Sequence, residues 1–137
     1  IESIGELKNG LRGLCTTVFE ALGKQQTEGA YQRALEIELK LRGVAVEKEV
    51  PIDIMYRGVK IGSRRVDLLV TLFGDKSQAI IEMKALKTVG KGGNSCAQQI
   101  EYYMDVFQVE HGFLVNFPHE AGFPPVPTGA VFRQVID

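Results

Sequence analysis

The sequence predicts an α/β domain, a mixed β-sheet flanked by helices in the order α-α-β-β-β-α-β-β. Three observations carry that expectation. Two early stretches space their apolar residues three and four apart, the period of amphipathic helices. From Val44 the pattern switches to alternation, the period of strands. A helical stretch then separates the third strand from the wholly apolar "GFLVNF", and a helix crossover implies parallel pairing in one sheet.

The totals fit a single domain over residues 1–137. Hydrophobic residues make up 45% and charged residues 24%, the balance of a globular chain rather than a disordered or fibrous one. No apolar run approaches the roughly 20 residues that cross a bilayer, and the opening residues carry no signal pattern. No membrane partner is therefore expected. Cys15 and Cys96 lie far apart in helical text and read as core thiols of a reducing, intracellular compartment. No Cys/His spacing suits zinc. A net charge of −1 advertises no nucleic-acid partner, so any such role must rest on a local patch.

In the first helix, residues 3–22, the stripe is Ile4, Leu7, Leu11, Leu14, Val18 and Leu22, closed by Gly23. In the second, Thr27 is the N-cap, Ala30, Ala34, Ile37 and Leu41 form the expected buried stripe, and Gly43 ends it. "VAVEKEVPIDIMY" is a strand running to a turn at Arg57-Gly58, and "VKIGSRRVDLLVTL" and "SQAIIEMKAL" are the next two. The glycine-rich "VGKGGNS" reads as a loop before a third helix from about residue 95 to 107. After "GFLVNF" a proline-rich stretch leads to "AVFRQVI", an expected edge strand.

The second and third strands form a hairpin whose register can be derived. Gly74-Asp75 suits a two-residue type II′ turn with positive φ at the glycine, which pairs Phe73 with Lys76. Thr71 then opposes Gln78, Leu69 opposes Ile80, Asp67 opposes Glu82 and Arg65 opposes Lys84. The alternate positions, Val66, Leu68, Val70 and Leu72 against Ala79, Ile81, Met83 and Ala85, are apolar throughout and form core. A slip of one residue would destroy that sorting. Asp67 and Glu82 thus meet on neighbouring strands. Like charges so placed are destabilising unless something positive sits between them. Two carboxylates with water suit Mg²⁺, a hard ion that keeps much of its hydration. The plainer alternative is a solvated sheet end balanced by Arg65 and Lys84.

Asp67 followed, after fourteen residues, by Glu82-Met83-Lys84 resembles the D…(D/E)xK signature of the PD-(D/E)XK nuclease superfamily. The stretch from "ALGKQQTEGAYQ" to "VKIG", with Glu28 and Tyr31 opening the second helix, is similar to the GxxExxY group of proteins. So is "QIEYYMDVFQVEHGFLVNFP" downstream. The group's leading glycine falls on Gln25, and Val66 stands where the signature has proline. Resemblance implies a restriction-endonuclease-like core and a Mg²⁺-dependent nuclease acting on nucleic acid, DNA before RNA, with Mn²⁺ as a substitute metal. It implies that Asp67 and Glu82 hold the metal, with the Met83 carbonyl as a third ligand and Glu28 reaching it directly or through water. Lys84 would orient the attacking water or stabilise developing charge, and Gln99 would bond a phosphate or water. Counting back from "GFLVNF" selects Gln99 over Gln98, with Tyr103 on the buried stripe of Cys96, Ile100 and Phe107.

Tyr31, Arg65, Lys87 and Tyr103 are the substrate-contacting candidates. Tyr31 also suits packing, with its hydroxyl on a polar neighbour, and Glu28 suits a helix first turn with no catalytic task. Arg57, Lys60, Arg64, Arg65, Lys87 and Lys91 would line a phosphate-contacting rim, although scattered surface bases are ordinary. "GKGGNS" lacks P-loop spacing. His111 and His119 stand apart from any nucleophile pattern, and Ser63 and Ser95 lack a GxSxG context. Two other readings stand beside the nuclease. One is a module of the same fold that grips nucleic acid or protein without cutting it. The other is a subunit dimerising through the edge strand near Phe132.

Overall fold

The computed structural model describes residues 1–23, 26–84, 90–117 and 131–134; the side chains of residues 84, 90–97, 116 and 131–134 lie outside that description. Its elements are α1 (Ile4–Leu22), α2 (Glu28–Leu41), β1 (Ala45–Tyr56), β2 (Val59–Thr71), β3 (Gln78–Lys84), α3 (Gly90–Phe107), β4 (His111–Asn116) and β5 (Val131–Gln134). The predicted order of elements stands. One five-stranded sheet runs β1-β2-β3-β4-β5. All neighbours are antiparallel except β3 and β4, which the α3 crossover makes parallel, as expected.

Both faces of the sheet are covered. α1 and α2 lie on one face, where Leu7, Leu11, Leu14, Val18, Tyr31, Leu35 and Leu39 pack on Leu68, Val70, Ala79, Ile81 and Met83. α3 lies on the other, where Ile100, Tyr103 and Met104 pack on Leu69, Ile80 and Leu114. Ser3 caps α1 by accepting the Glu6 N–H, and Thr27 caps α2 by accepting that of Ala30.

The stripe of α2 differs from expectation. Ile37 and Leu41 are exposed, and the inward residues are Tyr31, Leu35 and Leu39, flanked by buried Gln32 and Glu36. Two polar residues on the inner face mask the true stripe in the sequence. Glu36 tolerates burial because Arg33 and Lys40 bond its oxygens at 2.7 and 2.8 Å and Lys48 of β1 stands 3.9 Å away.

The β2–β3 turn also differs. Leu72 N–H donates to the Ser77 carbonyl at 2.8 Å, closing a loop of residues 73–76 in which Lys76, not Gly74, takes positive φ (61°). Gly74 is needed for another reason: any Cβ there would strike the backbone of Glu2. Asp75 ties the loop to the start of α1, accepting the Ile4 N–H at 2.9 Å. The register is unchanged, with Thr71↔Gln78 and Leu69↔Ile80 paired as derived, because both ends of the loop move together. α3 begins at Gly90, so the glycine-rich stretch from that residue on is helical rather than a loop. Ala85 lies outside the described residues.

Gly112 sets the distance between α3 and the sheet, since a Cβ there would meet Ile100 and lie 2.7 Å from the Met104 sulfur. Gly112→Ala is expected to cost about 1–3 kcal/mol of stability by overpacking, read as a lowered urea midpoint. Glu36 gives a pH test. Its carboxyl is held below the usual range, chiefly by the Lys40 hydrogen bond and further by Arg33. A depressed folded-state pKa contributes stability that is present above the ordinary carboxylate pKa and lost as pH falls through the folded value. Urea midpoints measured at about pH 6 and about pH 3 should therefore fall less in Glu36→Gln than in the parent.

Candidate active site

The interior strand β2 loses regular pairing with both neighbours at Asp67. On one side Glu49, at φ 51°, drops out of the β1–β2 ladder between Lys48↔Leu68 and Val50↔Val66. On the other, the β2–β3 ladder ends at Leu68↔Ile81. Carboxylates then replace main-chain acceptors. The Asp67 N–H donates to Glu82 Oε1 at 2.9 Å, and the Met83 N–H donates to Asp67 Oδ2 at 2.7 Å. Each acid thus bonds the backbone of the opposing strand, and an N–H dipole meets each charge. The interruption also moves Val66, expected beside Leu68, into the cluster under α3.

Gln32 and Tyr103 complete the surroundings. From α2, Gln32 donates its Nε2 proton to the Asp67 carbonyl at 3.2 Å. Glu82 is buried, 4% exposed, on the α3 side with Tyr103. Gln99 donates to the Tyr103 hydroxyl at 2.7 Å, whereas Gln98 is exposed, so the register chosen from sequence is the one that faces inward. Burial, then the Glu82 charge, raises the Tyr103 pKa; the Gln99 hydrogen bond and then the Arg64 charge act in the opposite direction.

Other expected residues fall elsewhere. Glu28 is exposed at the first position of α2. Among the described residues no three His, Cys, Asp or Glu side chains gather to hold a metal ion, so Glu28 does not join Asp67 and Glu82 in a three-acid group. Tyr31 offers a substrate no surface. It is 0% exposed, stacks on Phe117 at 4.4 Å and gives its hydroxyl proton to the Gly23 carbonyl at 2.6 Å, which makes it a packing residue. Tyr103, 1% exposed, is likewise no surface contact. Arg65 is exposed, 3.5 Å from Glu49. Lys84 pairs with Asn116 at the end of the β3–β4 ladder. Its side chain and those of Lys91, Ser95 and Cys96, like Lys87 and His119, lie outside the described residues.

Cys15 is core, and burial pushes its thiol up to about 12. His111 starts β4 opposite Ala79, at the far end of β3 from Glu82, and burial lowers its pKa. Sequence reading missed Gln32, whose signal is its place one turn after the exposed Glu28 and beside Tyr31 (i, i+4). It also missed that the Arg64 charge lies near Tyr103.

A family model of the PD-(D/E)XK nuclease superfamily matches residues 5–125. The chain belongs to the PD-(D/E)XK nuclease superfamily. Members of this superfamily are generally nucleases, and they typically use divalent metals such as Mg²⁺. The fold is similar to that in the crystal structure of SSO0001, with a TM-score of 0.54 and 19% identity, covering 97% of this chain and 62% of that one. That likeness fits the restriction-endonuclease-like core. The chain therefore spans less than two thirds of the length of SSO0001. No curated protein matches the sequence. Among the described residues no helix is long and apolar enough to cross a membrane.

The reciprocal bonding separates the shape of Asp67 from its charge. Asp67→Asn keeps an oxygen for the Met83 N–H and is expected to unfold within about 1 kcal/mol of the parent. Asp67→Leu strands that N–H and should cost about 1–3 kcal/mol more in urea unfolding.

Proposed function

We propose that this superfamily member is a Mg²⁺-dependent nuclease of the GxxExxY group, hydrolysing phosphodiester bonds of DNA in preference to RNA. The observation that supports this reading is the pair Asp67 and Glu82, brought together where both ladders of β2 give way. Two carboxylates on one patch of backbone fit Mg²⁺, which takes one or two protein carboxylates and keeps several waters. The small acid count is thus compatible with the ion. Asp67 and Glu82 would hold it, with the Met83 carbonyl as a further oxygen and Glu28 acting through water.

Once bound, the ion would lower the pKa of a coordinated water and offset charge at the scissile phosphate. Lys84, two residues beyond Glu82, orients the attacking water or steadies the negative charge that develops on phosphorus. Gln99 bonds a phosphate oxygen or water from α3. Tyr103 is a positioning residue: it holds the Gln99 amide beside Glu82 and touches no substrate itself. Arg65 and Lys87 contact phosphates of the strand being cut.

Nicking of plasmid DNA with Mg²⁺ or Mn²⁺ tests the reading. Asp67→Asn and Glu82→Gln, which preserve shape, should each lower the nicking rate by about 100-fold or more. Equal rates in parent and variants would trace the activity to a contaminant. Binding without cleavage in either metal would make the protein a non-cutting module.

A further inference from the structure

The β1–β2 hairpin outgrows its sheet. Among the described residues β3 pairs with β2 only at Leu68, Leu69, Val70 and Thr71, whereas β1 follows β2 to its tip. Ile52 is still held in the core under α3, but from Asp53↔Ser63 to Tyr56↔Val59 the two strands run on as a projecting ribbon, on the order of 14 Å long at about 3.4 Å per residue. Its end is a tight turn with Arg57 at φ 49° and Gly58 at φ 79°. Ile61 falls unpaired between Ile54↔Gly62 and Met55↔Lys60, a bulge that bends the tip.

The surface of this ribbon is unusual in two ways. Large apolar side chains stand in solvent at its tip: Met55 is 54% exposed, Tyr56 61%, Val59 62% and Ile61 64%. The charge is one-sided. Residues 51–65 hold Arg57, Lys60, Arg64 and Arg65 against Asp53, with Glu49 just outside that stretch 3.5 Å from Arg65, in a chain of net charge −1. Lys60 meets Asp53 at 3.2 Å, but both are more than half exposed, and such a pair exchanges readily for a phosphate. The ribbon is also joined to the site. Arg64, opposite Ile52, brings its charge near Tyr103, and β2 runs on directly through Val66 to Asp67.

We infer that the β1–β2 ribbon is a grip for duplex DNA, its bases on the phosphates and its apolar tip in the major groove, which delivers a strand to Asp67 and Glu82. The inference rests on the nuclease reading for its substrate class. B-form DNA has a major groove about 12 Å wide that admits a two-stranded ribbon; the deep, narrow groove of duplex RNA does not. The one-sided charge matches a polyanion better than a second copy of a chain that is itself slightly acidic.

The experiment is fluorescence anisotropy in EDTA, which separates binding from cleavage, with a labelled random-sequence duplex of about 30 base pairs. The parent should bind, and bind DNA better than duplex RNA. Arg57→Ala with Lys60→Ala should reduce the slope of log K against log salt by about 1.8, at about 0.9 per phosphate contact. Between about 50 and 200 mM salt, the parent should then lose about 12-fold more affinity than this variant. Tyr56→Ser with Val59→Ser should weaken binding about tenfold at fixed salt with the slope unchanged. Thermal melting like the parent's would show that both variants fold.

An unchanged slope, no binding by the parent, or equal affinity for duplex RNA would overturn the inference. So would a parent dimer, seen by light scattering, that the tip substitutions split without changing DNA affinity. Arm variants that bind normally while the parent cuts with Mg²⁺ would remove the grip and leave the nuclease. A parent that binds through the arm and never cuts would do the reverse.

Discussion

Everything distinctive about this molecule depends on how β2 behaves at Asp67. An interior strand ordinarily spends its N–H and carbonyl groups on two neighbours, and an unpaired group buried there is costly. Here Glu49 leaves one ladder and the other stops one residue short. Two carboxylates and the Gln32 amide supply the missing partners. The acids are therefore structural before they are chemical. They hold open a place in the sheet that regular pairing would otherwise close, and they turn Val66 toward α3.

That opening lies between covered faces. α1 and α2 shield one side and α3 the other, so Glu82 is buried while Asp67 is only half-buried. The parallel crossover matters because it places the body of α3, with Gln99 and Tyr103, over the side on which Glu82 sits. Gly112 allows the helix to settle close enough for that. The far end of β3 and β4 is closed differently, by Asp75 tying the hairpin loop to the first turn of α1. One end is thus stitched to backbone, and the other is left to side chains.

Much of this was legible in the sequence, because alternation leaves little choice of register. Moving the β2–β3 pairing by one residue would expose a whole row of Leu, Ile and Val, so Asp67 could be set against Glu82 without coordinates. Legibility failed where polar residues face inward. Gln32 and Glu36 hid the stripe of α2, since a buried Glu with three cationic neighbours looks like a surface residue in one dimension. It failed at the turn because a two-residue and a four-residue loop give the same register. It failed at the start of α3, where glycines read as a loop but the helix begins at Gly90. The length of the β1–β2 ribbon was unreadable for another reason: alternation says that a strand exists, not how far its neighbours accompany it.

Glu36 has an effect that reaches beyond α2. Its single buried charge draws Arg33, Lys40 and Lys48 to the seam between that helix and β1, three of the sixteen basic side chains. Bases already engaged with an internal anion present little unbalanced potential to a passing polyelectrolyte. The seam is thereby muted as a rival landing place. If the ribbon grips a nucleic acid as inferred, that leaves its four cations, offset only by Asp53 and by Glu49 beside Arg65, as a less neutralised patch than the seam.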